Sequence, residues 1–386
     1  MRVLICPTAF KGSLTAAEAA RAMARGVGAA LPRAEIIVLP VSDGGPGLLD
    51  ALRAGGAQEV GEPAGTRAPP AAAAAGDPPR EPGLSRDCRL ESIEVPGPLG
   101  ATVTARILWL SGASAAIESA DACGLHLVSP GRRDPLRADT LGVGEMVRAC
   151  VERGARRVWI GLGGSGTADG GTGAARAFGW RFLDASGRTV RPGGGGLARL
   201  ARIRRGTMPK AELTALADVG SPLTGPNGAA HRFGPQKGAS AADIARLDVG
   251  LARLTERIET DLGIAVAELP GAGAAGGLGA GCVAFLGAAL VAGAPWVLDR
   301  VRFDAVLDSV DVAVTGEGTF DAGSLLGKVT GEVLVRCRRA EVPAILVCGR
   351  VEGRAPAGVK IRQRPGALLG GTDLAELVQG AIREMV

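Results

Sequence analysis

Val158-Trp159-Ile160-Gly161-Leu162-Gly163-Gly164-Ser165-Gly166-Thr167-Ala168-Asp169-Gly170-Gly171-Thr172-Gly173 joins a short apolar β-type run to a glycine loop, and a helical pattern follows. Small residues let backbone N–H groups approach a ligand without interference from Cβ, and a helix starting just behind adds the positive end of its dipole. That is how proteins hold phosphate. A glycine loop that merely closes a strand-to-helix turn reads the same way, so the decision rests on what else points to this place.

Working outward, the same alternation recurs. Arg2 to Cys6 reads as a buried strand, Lys11-Gly12-Ser13 leads into an amphipathic helix from about Leu14 to Leu31, and Ile36 to Val41 is a second strand ending at Ser42-Asp43-Gly44-Gly45. A helical run near Leu48 to Arg53 follows. This order predicts a parallel sheet with helices on its faces, with a ligand crevice beyond the carboxyl ends of the strands, where Lys11 and Asp43 fall. The stretch Glu62 to Arg86, rich in proline and alanine, reads as an exposed, mobile insertion. Arg89 to Val95 and Ala101 to Leu110 then alternate as antiparallel strands, and Ala115 to Glu118 is strand-like. Thr140 to Arg153 is helical, Arg191 to Gly196 a loop, Leu213 to Asp218 a strand, and Ala241 to Leu262 a strongly amphipathic helix. Val310 to Thr315 and Ala344 to Cys348 return as apolar strands around the helix Val329 to Arg339. The expected division is an α/β domain from residues 1–62 and 284–386, interrupted by a mixed α/β domain from 63–283.

Composition narrows the function. The net charge is +5, but acidic and basic residues are mixed along the chain and aromatics are only 3% with no Tyr, which argues against nucleic-acid binding. Seven cysteines without any Cys-x-x-Cys pair read as reduced core thiols of a cytoplasmic protein. From Leu269 to Leu298 no residue is charged, yet Pro270, Pro295 and the Gly/Ala content speak against a membrane span, so no membrane partner is expected.

The chemistry must be built almost without histidine, since His126 and His231 are the only two. Gly-x-Gly-x-x-Gly occurs at Gly161, Gly163, Gly166 and at Gly271, Gly273, Gly276, but among 61 glycines roughly one or two matches arise by chance. A dinucleotide-dependent dehydrogenase therefore stays a weak reading. Gly323 to Val329 is one residue short of a Walker A loop and lacks its Ser/Thr. What remains is a set of charges at loop positions beside glycine: Lys11, Asp43, Asp169, Asp218, Glu317, Asp321 and Lys328. Phosphoryl transfer needs such a set, with cations and backbone N–H groups for phosphate, carboxylates for Mg²⁺, and one acid to orient a hydroxyl.

From residue 1 to about Gly349 the chain resembles a bacterial glycerate kinase of the two-domain type. Phe10-Lys11-Gly12-Ser13-Leu14, Ser42-Asp43-Gly44-Gly45, Gly161-Leu162-Gly163-Gly164-Ser165 and Asp169-Gly170-Gly171 carry the resemblance. So do Pro222 to Ala229, Phe233-Gly234-Pro235-Gln236-Lys237-Gly238-Ala239, Pro270 to Gly279, and Thr315-Gly316-Glu317-Gly318 with Asp321. The resemblance implies a flavodoxin-like domain built from both chain ends and a distinct middle domain. It also implies transfer of the ATP γ-phosphate to D-glycerate, with 2-phosphoglycerate the expected product. On this reading Asp43, Lys11, Asp169 and Asp218 serve catalysis, and Glu317 and Asp321 hold Mg²⁺. Gly163, Gly164, Ser165, Gly271, Gly273, Gly276, Gly277 and Lys328 bind the nucleotide. A homo-oligomer is compatible with it. The chain departs from the family pattern at Thr8-Ala9 (usually Asp-Ser), Pro46-Gly47-Leu48 (Glu-Gly-Thr), Val143 (Thr), Ala168 (Asn), Thr319 (Arg) and Gly323 (Gln). These losses of polar groups leave a competing reading, an altered member that binds a nucleotide or another small hydroxy acid without turnover.

Overall fold

The computed structural model describes residues 1–55, 88–110, 113–218, 220, 222–325, 327–352, 358–366 and 368–385. The expected insertion at Glu62 to Arg86 lies outside the described residues. Two main sheets organise the rest. The first is built from β1 (Arg2–Ile5), β2 (Glu35–Val38), β11 (Val312–Phe320), β12 (Ala344–Val351) and β13 (Lys360–Gln363). The second uses β3 (Arg89–Pro96), β4 (Thr102–Leu110), β5 (Ser114–Glu118), β6 (Arg157–Gly161), β9 (Glu212–Ala217) and β10 (Ala289–Ala292), while β7 (Arg181–Leu183) and β8 (Arg202–Arg204) form a small hairpin-like pair.

The first sheet is wholly parallel in the order β13-β12-β11-β1-β2. Counted along the chain this is the flavodoxin-like order 2-1-3-4-5, whose direction of winding reverses between β1 and β11 and so opens a crevice at their carboxyl ends. Both chain ends supply it, as the alternation of apolar runs predicts. The second sheet is mixed, β10-β9-β6-β5 parallel and β4-β3 antiparallel.

Period-two alternation assigns each sheet face to a different core. Val3, Ile5, Val312 and Val314 pack under the helices Ala16–Ala30 and Gly371–Arg383, whereas Leu4, Cys6, Ala313 and Leu346 face the second sheet. There they share one apolar cluster with Leu108, Leu110, Ala116, Trp159 and Leu216. The helices Leu48–Ala54, Gly293–Arg300 and Val329–Arg339 lie in this shared layer. Ile107, Ile117, Val158 and Ile160 point to the far side, onto the helices Leu141–Glu152, Ala241–Leu262 and Ala274–Leu286. The molecule is thus five layers deep, helices alternating with sheets.

The expected boundary after residue 283 needs correcting, because β10 pairs in parallel with β9 and carries the second sheet to Ala292. Gly287 in the left-handed region closes the helix Ala274–Leu286, so the apolar residues after it are free to form β10. No helix among the described residues is long and apolar enough to cross a membrane.

Candidate active site

Phe10 to Leu14 is a tight turn closed by two backbone bonds, Phe10 N–H to the Leu14 carbonyl at 2.9 Å and Leu14 N–H to the Phe10 carbonyl at 3.0 Å. Phe10 is buried against the glycine of β11 at 316, so Lys11 is held up at the tip and exposed. A Cβ placed on Gly318 would lie 3.5 Å from the Lys11 nitrogen. Lys11 therefore stands at the β1/β11 switch point.

The loop after β2 is tied to the loop after β1 through Val41 N–H to the Pro7 carbonyl, 3.0 Å. Ser42 Oγ accepts from Gly44 N–H and donates to the Gly45 carbonyl, and Asp43 Oδ1 accepts from Gly45 N–H at 3.1 Å. Asp43 does not cap the following helix. That task falls to Glu118 at the end of β5, whose Oε1 accepts from Gly47 N–H at 3.1 Å and Leu49 N–H at 3.0 Å. Burial pushes the Glu118 carboxyl up to about 7, while the Leu49 N–H and the Arg106 guanidinium act the other way. Arg106 lies 3.5 Å from Glu118 and is itself fixed by a two-point pair to Asp121.

The glycine loop after β6 meets this segment directly. A Cβ on Gly163 would lie 3.0 Å from Gly45 Cα, and one on Gly161 only 2.5 Å from the Gly44 carbonyl, so neither site tolerates a larger residue without movement. Gly163 is half-buried and Gly164 exposed, but Ser165 is buried and accepts from the Lys237 ammonium at 3.1 Å. A contiguous chain of contacts thus runs from Gly163 through Gly45 and Val41 to Lys11 and Gly318.

At the end of β11, burial raises the Glu317 carboxyl above its usual range, with Ser324, Lys328 and Thr330 opposing the rise. Its Oε1 is buried without a hydrogen-bond partner among the described residues. Asp321 accepts from Ser324 N–H at 2.9 Å and lies 3.7 Å from the Lys328 ammonium. Slight burial pulls the Asp321 carboxyl up, but Lys328 and the Ser324 contacts outweigh it and hold it low. A Cβ on Gly323 would sit 3.0 Å from Asp321 Oδ1 and 3.5 Å from Lys328 Nζ. The glutamine usual in the resembling family would therefore touch this pair, whereas Leu48, Val143 and Ala168, which also depart from the pattern, are buried in apolar cores.

Several expected site residues lie elsewhere. Asp169 is 0% exposed; its Oδ2 accepts from Thr140 N–H, Thr140 Oγ1 and Gly173 N–H, and its Oδ1 from Gly171 N–H. Fully enclosed, it shapes the loop. Gly271, Gly273, Gly276 and Gly277 are buried as well. A Cβ on Gly276 would lie 2.0 Å from the Thr167 carbonyl and one on Gly277 2.9 Å from Gly170 Cα. At Gly276 and Gly277 smallness thus serves backbone packing against 167–170, while a Cβ on Gly271 would lie 3.0 Å from Ala217 Cβ. Asp218 follows β9 and accepts from Gly220 N–H, beside an open cleft of about 510 Å³ lined by Gly220, Pro222, Pro226, Asn227, His231 and Arg232. Glu118 and Arg106 were not singled out by the sequence, and Lys237 entered only within the stretch Phe233 to Ala239, with no role. Glu118 ends an apolar strand, as Asp43 does, which was the signal that could have found it.

A model of the glycerate kinase family matches residues 3–74 and 84–363. The chain is 38% identical over 357 residues to a glycerate kinase of Halalkalibacterium halodurans, covering 90% of this chain and 85% of that one. It is 36% identical over 356 residues to the glycerate 2-kinase of Escherichia coli, covering 90% and 85%. The crystal structure of a putative glycerate kinase 2 from Salmonella typhimurium superposes with a TM-score of 0.76 at 35% identity, over 100% of this chain and 97% of that one. The switch-point crevice, the loops that meet there and these matches agree: the chain belongs to the glycerate kinase family.

Proposed function

We propose that the protein transfers the γ-phosphate of ATP to a hydroxyl of D-glycerate, giving 2-phosphoglycerate, in a reducing cytoplasm that suits its six buried thiols. The observation that carries this reading is the chain of contacts joining Gly163, the Asp43 loop, Lys11 and the end of β11. It supports the reading because Lys11, the Asp43 loop and the backbone of Gly163 and Gly164 lie on neighbouring segments at the carboxyl ends of the strands. In this scheme Gly163 and Gly164 take phosphate on their backbone, and Lys11 and Lys328 neutralise phosphate or carboxylate charge. Asp43 accepts the hydroxyl proton. Asp218, which holds the Gly220 N–H at the edge of the cleft, is assigned to the acceptor side.

Among the described residues no three His, Cys, Asp or Glu side chains are arranged to hold a metal. Mg²⁺ does not require such a cage, since it is commonly held by one or two carboxylates, with water and substrate phosphate completing its shell. The unpartnered, buried Glu317 Oε1 beside Asp321 fits that use. Bound there, the ion would neutralise charge on the phosphates. Purified protein given ATP, Mg²⁺ and D-glycerate should release ADP, and ³¹P NMR should show 2-phosphoglycerate. ATP binding with no turnover of any small hydroxy acid would refute the kinase and leave a nucleotide-binding protein.

A further inference from the structure

Lys237 is only 3% exposed, unusual for a lysine that forms no ion pair. Its ammonium donates to Ser165 Oγ at 3.1 Å and to the Thr167 carbonyl at 2.6 Å, and no carboxylate lies within ion-pair distance among the described residues. A desolvated cation with two neutral acceptors is costly to hold, so a fold that keeps one has a use for the charge. The place is specific. Both acceptors belong to the loop whose next residues outward are the half-buried Gly163 and the exposed Gly164. The short 3₁₀ turn Pro235–Lys237 is itself held from behind, with Arg133 Nη1 donating to the Gln236 carbonyl at 3.1 Å.

We infer that Lys237 is a positioning residue for phosphate. Through Ser165 and Thr167 it fixes the shape of the 163–167 loop, and its buried ammonium supplies the positive charge that this loop presents to an anionic ligand. The inference rests on the reading above that the loop receives the nucleotide's phosphates. It also explains why Ser165, expected to touch the nucleotide, is buried: its hydroxyl faces inward to the lysine. Burial lowers the Lys237 ammonium to about 8, with Cys123 and Asp169 acting the opposite way through space. Of the groups around it, the Cys123 thiol is pushed up to about 12 and Asp169 is raised by its own burial. Arg133 is the other charged side chain packed against this turn. An arriving phosphate favours the charged lysine, so binding above pH 8 should draw a proton from solvent.

The test is calorimetry of Mg-ATP and of adenosine with the full chain at pH 8.5, in two buffers of different ionisation enthalpy. Wild type, Lys237→Met and Lys237→Arg are compared. Wild type should take up a substantial fraction of a proton per ATP bound and none with adenosine. Lys237→Met should bind ATP about tenfold or more weakly, the scale on which groups behind a binding site act. It should leave adenosine affinity unchanged and abolish the uptake, and Lys237→Arg should recover part of the ATP affinity. Unchanged ATP affinity in folded Lys237→Met, or equal losses for ATP and adenosine, would overturn the inference. If Lys237→Met fails to fold, absence of proton uptake by wild type overturns it by itself. Turnover of D-glycerate by wild type is scored separately, so a failed kinase reading and a failed role for Lys237 give different results.

Discussion

Asp169→Asn separates chemistry from architecture at one of the carboxylates that the sequence offers for catalysis. The carboxylate is fully enclosed, and three of its four donors converge on Oδ2. An asparagine that places its carbonyl oxygen there keeps those three bonds. Its amide then faces Gly171 N–H, which loses an acceptor that stands at 3.3 Å in the native protein. One buried unsatisfied donor costs about 1–3 kcal/mol, and the long native bond puts the loss toward the lower end. Removing a desolvated charge offsets part of it, because burial already disfavours the ionised form. The scale is about 2–4 °C per kcal/mol for 150–250 residues and smaller for a longer chain, so Tm should fall by about 1–3 °C. Turnover should stay within severalfold of wild type. Asp169→Ala strips all four donors at once and should cost about 4 kcal/mol or more. Differential scanning calorimetry beside steady-state ADP release reads both quantities. A hundredfold loss of kcat at unchanged Tm in Asp169→Asn would place this carboxylate in the chemistry and refute the structural assignment.

Asp43→Asn should behave in the opposite way. Its Oδ1 bond to Gly45 N–H survives, so Tm should move little while kcat falls about a hundredfold or more; near-normal kcat would remove Asp43 as the base. Lys11→Met, at an exposed turn tip, should leave the melting curve in place and raise KM for ATP or D-glycerate about tenfold, and unchanged kinetics would exclude Lys11 from the site. Glu118 has a folded-state carboxyl raised from an ordinary 4.5 to about 7, so its contribution to stability is full below pH 4.5 and is lost as pH rises through 7. At 1.36 kcal/mol per tenfold the difference is about 3 kcal/mol. Denaturant unfolding should therefore show wild type losing stability relative to Glu118→Gln between pH 4.5 and pH 8, and a pH-independent difference would show that the carboxyl is not buried as described.

β1, β11 and β12 of the first sheet were legible because they are largely buried on both faces and read as short apolar runs, whereas the edge strand β13 is only half-buried and carries Lys360, Arg362 and Gln363. Arg2 to Cys6, Ala344 to Cys348 and the helix Val329–Arg339 fall where apolar periodicity puts them. β10 was not legible: Ala289–Ala292 continues a stretch of small apolar residues with no charge to mark the turn, and short apolar runs do not distinguish helix from strand. The second Gly-x-Gly-x-x-Gly motif misled for a physical reason. Glycine permits close approach of backbone to ligand and of backbone to backbone equally, and at Gly276 the partner is the Thr167 carbonyl. Asp169 misled likewise, since a carboxylate beside two glycines can bind a ligand or collect their N–H groups, and here it does the second.

The residues whose role the sequence could not give share a property. Glu118 and Lys237 are each a single buried charge whose bonds reach one loop at the crevice, yet each lies about seventy residues from the segment it holds. Glu118 belongs to the second sheet and holds the Asp43 loop of the first, so that loop keeps its place only while the two sheets keep theirs. The shared apolar layer does this: Leu48 and Leu49 pack in one cluster with Ala116, Trp159 and Leu216, and Trp159 meets Trp296 edge-on at 5.1 Å. A residue added at Gly293 would strike the Asp43 carbonyl at 2.0 Å, so the start of that helix also abuts the Asp43 backbone. The Asp43 loop is therefore held by contacts behind it, while Lys11 and Gly164 stay exposed. Sequence reading finds charges beside glycines, but it cannot find the distant buried charges that fix those glycines, because only the packed sheets bring them together.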